Sequence, residues 1–198
     1  MSKDPLGLKR FIRTVDNFPI DGIAFRDITS LIETPEAFVK TCDELTKITR
    51  NFGADIVASI ESRGFIFAGT IARDLNLPFV LARKPGKLPN ETYKKSFDLE
   101  YGSTSIEIQK NTEIKNNQKI VIVDDLVATG GTAIACSEIF TENFNVKSEN
   151  ILILSIIDLP ELGGSRLISE KGYLIETLVD YWYGIVMNKE YGRLMVDI

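Results

Sequence analysis

Between positions 34 and 52 the apolar residues Phe38, Cys42, Leu45, Ile48 and Phe52 recur every three to four places, the spacing of one helix face. Thr34 can cap such a helix, Pro35 suits its first turn and Gly53 ends it. Four other stretches, 56–60, 78–82, 119–123 and 151–157, are near-continuous apolar runs without period. Helical patterns over 64–75 and 131–144 lie among them. Apolar runs without polar alternation are strands covered on both faces, so their alternation with helices predicts an α/β fold: a central, mostly parallel, twisted sheet flanked by helices. Residues 83–109 break the rhythm. They are rich in Pro, Gly, Lys and Tyr, and Thr104, Ile106 and Ile108 alternate like a hairpin strand. An irregular excursion of this length from a compact domain is usually functional, often a lid.

Composition narrows the chemistry. The 198 residues suit one domain, and 44% hydrophobic with 26% charged residues are globular values. Lys and Arg number 23 against 28 Asp and Glu, a net charge of −5 that argues against general nucleic-acid binding. No apolar run is long enough to cross a bilayer and the start lacks a secretory pattern, so a cytoplasmic protein is expected, with no membrane partner. There is no histidine. Ser-His-Asp and Cys-His nucleophiles and His-ligated zinc are thereby excluded, leaving carboxylates, Lys, Tyr or Cys as general acid or base. Cys42 and Cys136 sit in helical patterns and read as small buried residues in a reducing cytosol.

The most informative stretch is Val121-Ile122-Val123-Asp124-Asp125-Leu126-Val127-Ala128-Thr129-Gly130-Gly131-Thr132-Ala133. An apolar strand brings two adjacent carboxylates to its C-terminal end, and a turn of small residues opens directly into a helix. Ligands of parallel sheets bind at the carboxyl ends of strands. Gly130 and Gly131 let a phosphate approach the backbone closely, the amides of Ala128 through Thr132 supply donors, and the hydroxyls of Thr129 and Thr132 add two more. No Gly-Lys-Ser/Thr closes a Walker A loop and GxGxxG is absent. The acidic pair suits a vicinal diol, so a ribose carrying a 5′-phosphate satisfies both halves; the plain alternative is an Asp pair capping a helix.

This string resembles the phosphoribosyl-pyrophosphate (PRPP) motif of the type I phosphoribosyltransferases, and the whole chain from about 18 to 164 is similar to the adenine-specific members in five places in the same order. The resemblance implies a single domain over 1–198, with a small N-terminal hood at about 15–30, a flexible lid at about 83–102 and a C-terminal extension at about 173–198. Residues 18–27 are similar to the base-binding hood, with Ala24 offering its backbone to the adenine edge, Phe25 stacking on the ring and Arg26 fixing the hood or touching the base. Glu61, Ser62, Arg63 and Gly64 resemble the pyrophosphate loop; Glu61 stands where other members carry Asp, with no change of chemistry expected. Arg83, Lys84 and Lys87 resemble the pyrophosphate-binding part of the lid, in a segment where Lys94 and Lys95 bring five basic groups against the single acid Glu91.

The resemblance further implies that Glu100 is the general acid/base facing purine N7, that Tyr101 closes the site and that Leu159 packs on the base. Guanine- and hypoxanthine-specific relatives tend to carry a Lys near that last point, and none occurs between 151 and 170. It implies transfer of the phosphoribosyl group from PRPP to N9 of adenine, giving AMP and pyrophosphate through an oxocarbenium-like transition state. Mg²⁺ is the implied cofactor, held mainly through PRPP with Asp124 or Asp125, and a homodimer is the implied assembly. Two rivals remain. A PRPP-sensing transcription regulator would need a DNA-binding domain in front, for which the hood at Phe18 leaves no room. A 6-oxopurine or xanthine enzyme is disfavoured by the hood and the missing Lys.

Overall fold

The computed structural model describes residues 3–19, 21–99 and 102–182. The four near-continuous apolar runs form four strands of one five-stranded parallel sheet, β3 (Ile56–Ile60), β4 (Phe79–Ala82), β7 (Ile120–Val127) and β8 (Ile151–Asp158), and β9 (Leu174–Asp180) from the C-terminal stretch adds the fifth, in the order β4-β3-β7-β8-β9. Strand side chains alternate between faces. Val57, Val121, Val123, Leu152 and Leu154 pack on one side, where α2 (Pro35–Phe52) and α3 (Gly64–Leu75) supply Leu45, Phe67 and Ile71. Ile56, Ala58, Ile60, Ile120, Ile122 and Ile153 face the other, against Ile139 and Phe140 of α4 (Gly131–Asn143). Both faces are covered, so both parities are apolar and no alternation shows in the sequence.

Two small antiparallel pairs sit outside the sheet. β1 (Arg13–Asp16) pairs with β2 (Ala24–Asp27), forming the region expected as a hood, and α1 (Thr29–Glu33) follows. β5 (Thr92–Leu99) pairs with β6 (Gly102–Gln109), so ordered strands occupy the latter part of the region read as a loop. Ile106 and Ile108 bury their side chains, as their alternation predicts. Lys95 does not join the basic cluster expected of the lid. It reaches α4, with Nζ 3.1 Å from Glu138 and 2.5 Å from Glu142, and so ties the β5–β6 pair to the domain. Thr34 precedes α2 but makes no side-chain cap, because its hydroxyl donates to Ser30 O (2.8 Å) in the preceding α1. Both cysteines are free and buried. No helix among the described residues is long and apolar enough to cross a membrane.

Strand order positions the site. From β3 the chain steps outward to β4, then returns to the opposite side of β3 with β7. That reversal opens a crevice at the carboxyl ends of β3 and β7, where open parallel sheets bind ligands.

Candidate functional site

Two loops meet at this crevice. After β3 comes residues 61–63, and α3 starts at Gly64; after β7 comes residues 128–130, and α4 starts at Gly131. Ser59, the one polar residue in β3, donates from Oγ to Val123 O at 2.7 Å and cross-links the two strands beneath the loops. A Cβ on Gly64 would lie 2.6 Å from that Oγ, 2.7 Å from Val123 O and 3.1 Å from Asp124 Cα, so only glycine lets α3 press this closely on β7.

Asp124 and Asp125 are neighbours in one strand and so leave it in opposite directions. Asp125 is buried and meets Arg63 from the other loop, Nε to Oδ2 2.6 Å. The contact is ionic, since Oδ2 accepts no directed hydrogen bond among the described residues. Asp124 is half-buried and accepts the Asp125 amide on Oδ1 (2.9 Å). Loss of hydration pushes the Asp124 carboxyl well above its ordinary value, and the Asp125 charge adds to the push. The crevice therefore holds two adjacent carboxyls, one of whose charge burial and its neighbour disfavour, with one guanidinium beside them, an arrangement in which hydroxyl donors or a cation would favour the charged form.

The phosphate-type loop is shaped from below. Gly130 has φ 83° and lies against Gly164, the first residue of α5 (Gly164–Glu170). Gly164 N–H donates to Ala128 O (3.1 Å). A Cβ there would clash with Ala128 O and sit 2.6 Å from Gly130 N and 2.7 Å from Thr129 C. The loop thus rests on bare backbone, while α4 turns its N-terminal amides and the positive end of its dipole toward the crevice.

Arg83 follows β4 and folds back, its Nε 2.6 Å from Glu61 Oε2 and its Nη1 donating to Lys87 O (3.2 Å). It joins the loop after β3 to the expected lid. Lys84 and Lys87 are exposed. Glu107 anchors the same segment: backbone hydrogen bonds run both ways between it and Arg83 (2.9 and 2.8 Å), and its buried carboxylate accepts Gly86 N–H (3.3 Å).

In the hood, Phe25 stacks edge-on against Phe18 with centroids 5.1 Å apart, and the Arg63 guanidinium lies 5.5 Å over the Phe25 ring. Arg26 donates to Thr14 Oγ1, across the β1–β2 pair. Leu159, just beyond β8, is 6% exposed, and its amide donates to Val127 O (3.0 Å), so it stands beside the end of β7.

The structure thus brings Phe25, Arg63, Asp125, Gly64 and Asp124 to one crevice, with the 128–132 loop and Leu159 at the end of the same strands. Glu100 and Tyr101 lie outside the described residues. Ser59, Glu107 and Gly164 were not singled out as site residues from sequence. Ser59 had a signal, a lone hydroxyl in an apolar run; Glu107 had none.

A family model for the phosphoribosyl transferase domain matches residues 29–167. The adenine phosphoribosyltransferase of Agathobacter rectalis is 43% identical over 174 residues, covering 88% of this chain and 97% of that protein. The crystal structure of the enzyme of that name from Thermoanaerobacter pseudethanolicus is 38% identical with a TM-score of 0.79, covering 88% of this chain and 98% of the other. That from Giardia lamblia, in complex with 9-deazaadenine, is 34% identical with a TM-score of 0.81, covering 89% and 97%.

Proposed function

The chain belongs to the phosphoribosyltransferase family, among its adenine phosphoribosyltransferases, and we propose that the crevice between β3 and β7 joins the 5-phosphoribosyl group of PRPP to N9 of adenine. The observation that supports this most is the end of β7, where Asp124 and Asp125 lead directly into a glycine loop and a helix N-terminus. The 5′-phosphate sits on the amides and hydroxyls of residues 128–132, and the ribose hydroxyls donate to the acidic pair. Arg63, the amides of the 61–64 loop, Lys84 and Lys87 receive the pyrophosphate, with Arg83 holding that loop and the lid together through Glu61. Adenine lies against Phe25 and Leu159, read at its edge by the Ala24 backbone, and Arg26 fixes the hood.

N9 bonds to C1′ while the bond from C1′ to pyrophosphate breaks and the leaving group departs with the electron pair. The proton lost by the purine passes from N7 to the Glu100 carboxylate, with Tyr101 closing the site. The enzyme's contribution is position, charge stabilisation and exclusion of water by the closed lid.

Mg²⁺ belongs to the same proposal. The donor set fits an ion carried mainly on phosphate oxygens: two carboxylates are present, Asp125 Oδ2 accepts no directed hydrogen bond, and no group of three metal-ligating side chains exists among the described residues. Bound there, Mg²⁺ would neutralise charge developing on the pyrophosphate. A cytoplasmic location is supported by two buried, free thiols. A homodimer is supported by the family resemblance and by exposed Val39 and Ile66 on α2 and α3.

The test is pyrophosphate release with PRPP, Mg²⁺ and each of adenine, hypoxanthine, guanine and xanthine. Turnover is expected with adenine, abolished in Asp124→Asn/Asp125→Asn and strongly reduced in Glu100→Ala. Preferred turnover of a 6-oxopurine would refute the base assignment, and PRPP binding without consumption of any base would favour the regulator.

A further inference from the structure

Tyr181, just beyond β9, has no place in the reaction as described above, yet its ring touches the hood. Tyr181 follows β9 directly, and its N–H donates to Asp158 O at 2.9 Å, one residue before Leu159. The Arg26 guanidinium lies 4.2 Å over its ring, and Lys9 Nζ lies 4.9 Å from the same ring centre. The neighbouring Asp180 holds the N-terminal segment, accepting Lys3 N–H (2.6 Å) and Lys9 Nζ (3.3 Å) on Oδ1. The ring body packs against the core, and the buried hydroxyl has no hydrogen-bond partner among the described residues. What the residue offers its surroundings is therefore its π face and its backbone, not its phenol.

We infer that Tyr181 is a positioning residue for the base site: its backbone is tied to the strand that ends in Leu159 while its ring holds Arg26 of the hood, so it sets the distance between the two walls that close on the purine. The inference rests on the assignment of the hood and Leu159 to adenine. A cation over an aromatic face is directional enough to orient a guanidinium, here one that Thr14 holds from the side of the β1–β2 pair. An aliphatic side chain fills the volume but offers no such face. Arg26 then keeps its bond to Thr14 but loses its tie to the strand that ends in Leu159, and the hood loses its preferred spacing, whereas the 128–132 loop keeps the Gly164 backbone that shapes it from below.

The experiment is steady-state kinetics of Tyr181→Leu, Tyr181→Phe, Arg26→Leu and the Tyr181→Leu/Arg26→Leu double variant, varying adenine and PRPP separately, with thermal unfolding alongside. Tyr181→Leu is expected to raise KM for adenine about threefold to thirtyfold, the range a cation–π contact spans, with KM for PRPP moving less than about twofold. Tyr181→Phe restores the adenine KM, because the ring is kept and the hydroxyl is unused. In the Arg26→Leu background the Tyr181 substitution adds little further. An unchanged adenine KM in Tyr181→Leu, an equal rise in both KM values, or fully additive effects would each overturn the inference. If Tyr181→Leu does not fold, Tyr181→Met is read by the same criteria. Failure of the unsubstituted chain to consume adenine would refute the base assignment itself, a result distinguishable from all of these.

Discussion

Replacing Gly164 by Ala asks whether the phosphate loop is shaped by the backbone beneath it. The new Cβ would lie 2.6 Å from Gly130 N and 2.7 Å from Thr129 C, where ordinary contact begins at 3.4 Å. Those neighbours are main chain and cannot rotate away, and Ala128 O lies closer still, so loop and α5 must separate by about 1 Å. Overpacking of this kind costs about 1–3 kcal/mol, which for a domain of this size lowers Tm by about 2–4 °C per kcal/mol. The same displacement moves the donors of residues 128–132 off their phosphate positions, and a misplacement near 1 Å can cost about a hundredfold in rate. A fall in kcat/KM for PRPP of about 30- to 100-fold is expected, with KM for adenine at saturating PRPP nearly unchanged. Gly69→Ala, within α3 where a Cβ meets nothing within 4 Å, serves as the matched control and should leave both constants alone. A Gly164→Ala enzyme that folds normally and retains the original kcat/KM for PRPP would refute the reasoning.

Three further outcomes follow from the charges. Because burial and Asp125 raise the Asp124 pKa, the unfolded chain ionises first; stability of the ligand-free protein should fall as pH rises from the ordinary value of 3.8 toward the raised one. Asp124→Asn should flatten that fall in pH-dependent thermal melts and raise Tm at neutral pH while weakening PRPP binding; a lowered Tm at neutral pH would contradict it. Arg63→Met leaves the buried Asp125 without its counter-charge and should cost about 1–3 kcal/mol in urea denaturation, relieved by adding Asp125→Asn, whereas additive losses would show the two do not communicate. Lys95→Met should change stability by less than about 1 kcal/mol, since the pair is partly exposed, but speed hydrogen exchange in β5 and β6; unchanged exchange would show that Lys95 does not hold them.

What the sequence discloses depends on how many residues repeat a signal. Strands β3, β7 and β8 are legible because both their faces are covered and each carries a near-continuous apolar run, and α2 because five residues share one stripe. The C-terminal stretch admits an edge strand without marking its bounds, and β9 is that edge strand, with Leu174 and Glu176 exposed and only its later residues buried. β1 has no buried residue and β2 only half-buried ones, so neither carries a period to read.

The site follows the same logic. Asp124, Asp125 and the glycines of the following loop are adjacent, and their residue types state a diol-and-phosphate chemistry. The Arg63–Asp125 contact depends on β3 and β7 becoming neighbours, which local pattern does not contain. Glu107 and Tyr181 are single residues in ordinary surroundings, and only the fold gives them a role. Arg83 is similar: its charge announces an anion site, while its bond to Glu61 appears only when β4 lies beside β3.

The most direct test of the central claim is competition for one enzyme. Purified protein is given PRPP, Mg²⁺ and an equimolar mixture of adenine, hypoxanthine, guanine and xanthine, and the nucleotides are separated and identified by mass. The account predicts AMP as the dominant nucleotide, formed in equal amount with pyrophosphate and with loss of adenine. Formation of IMP, GMP or XMP in preference, or pyrophosphate released without any nucleotide, would contradict it.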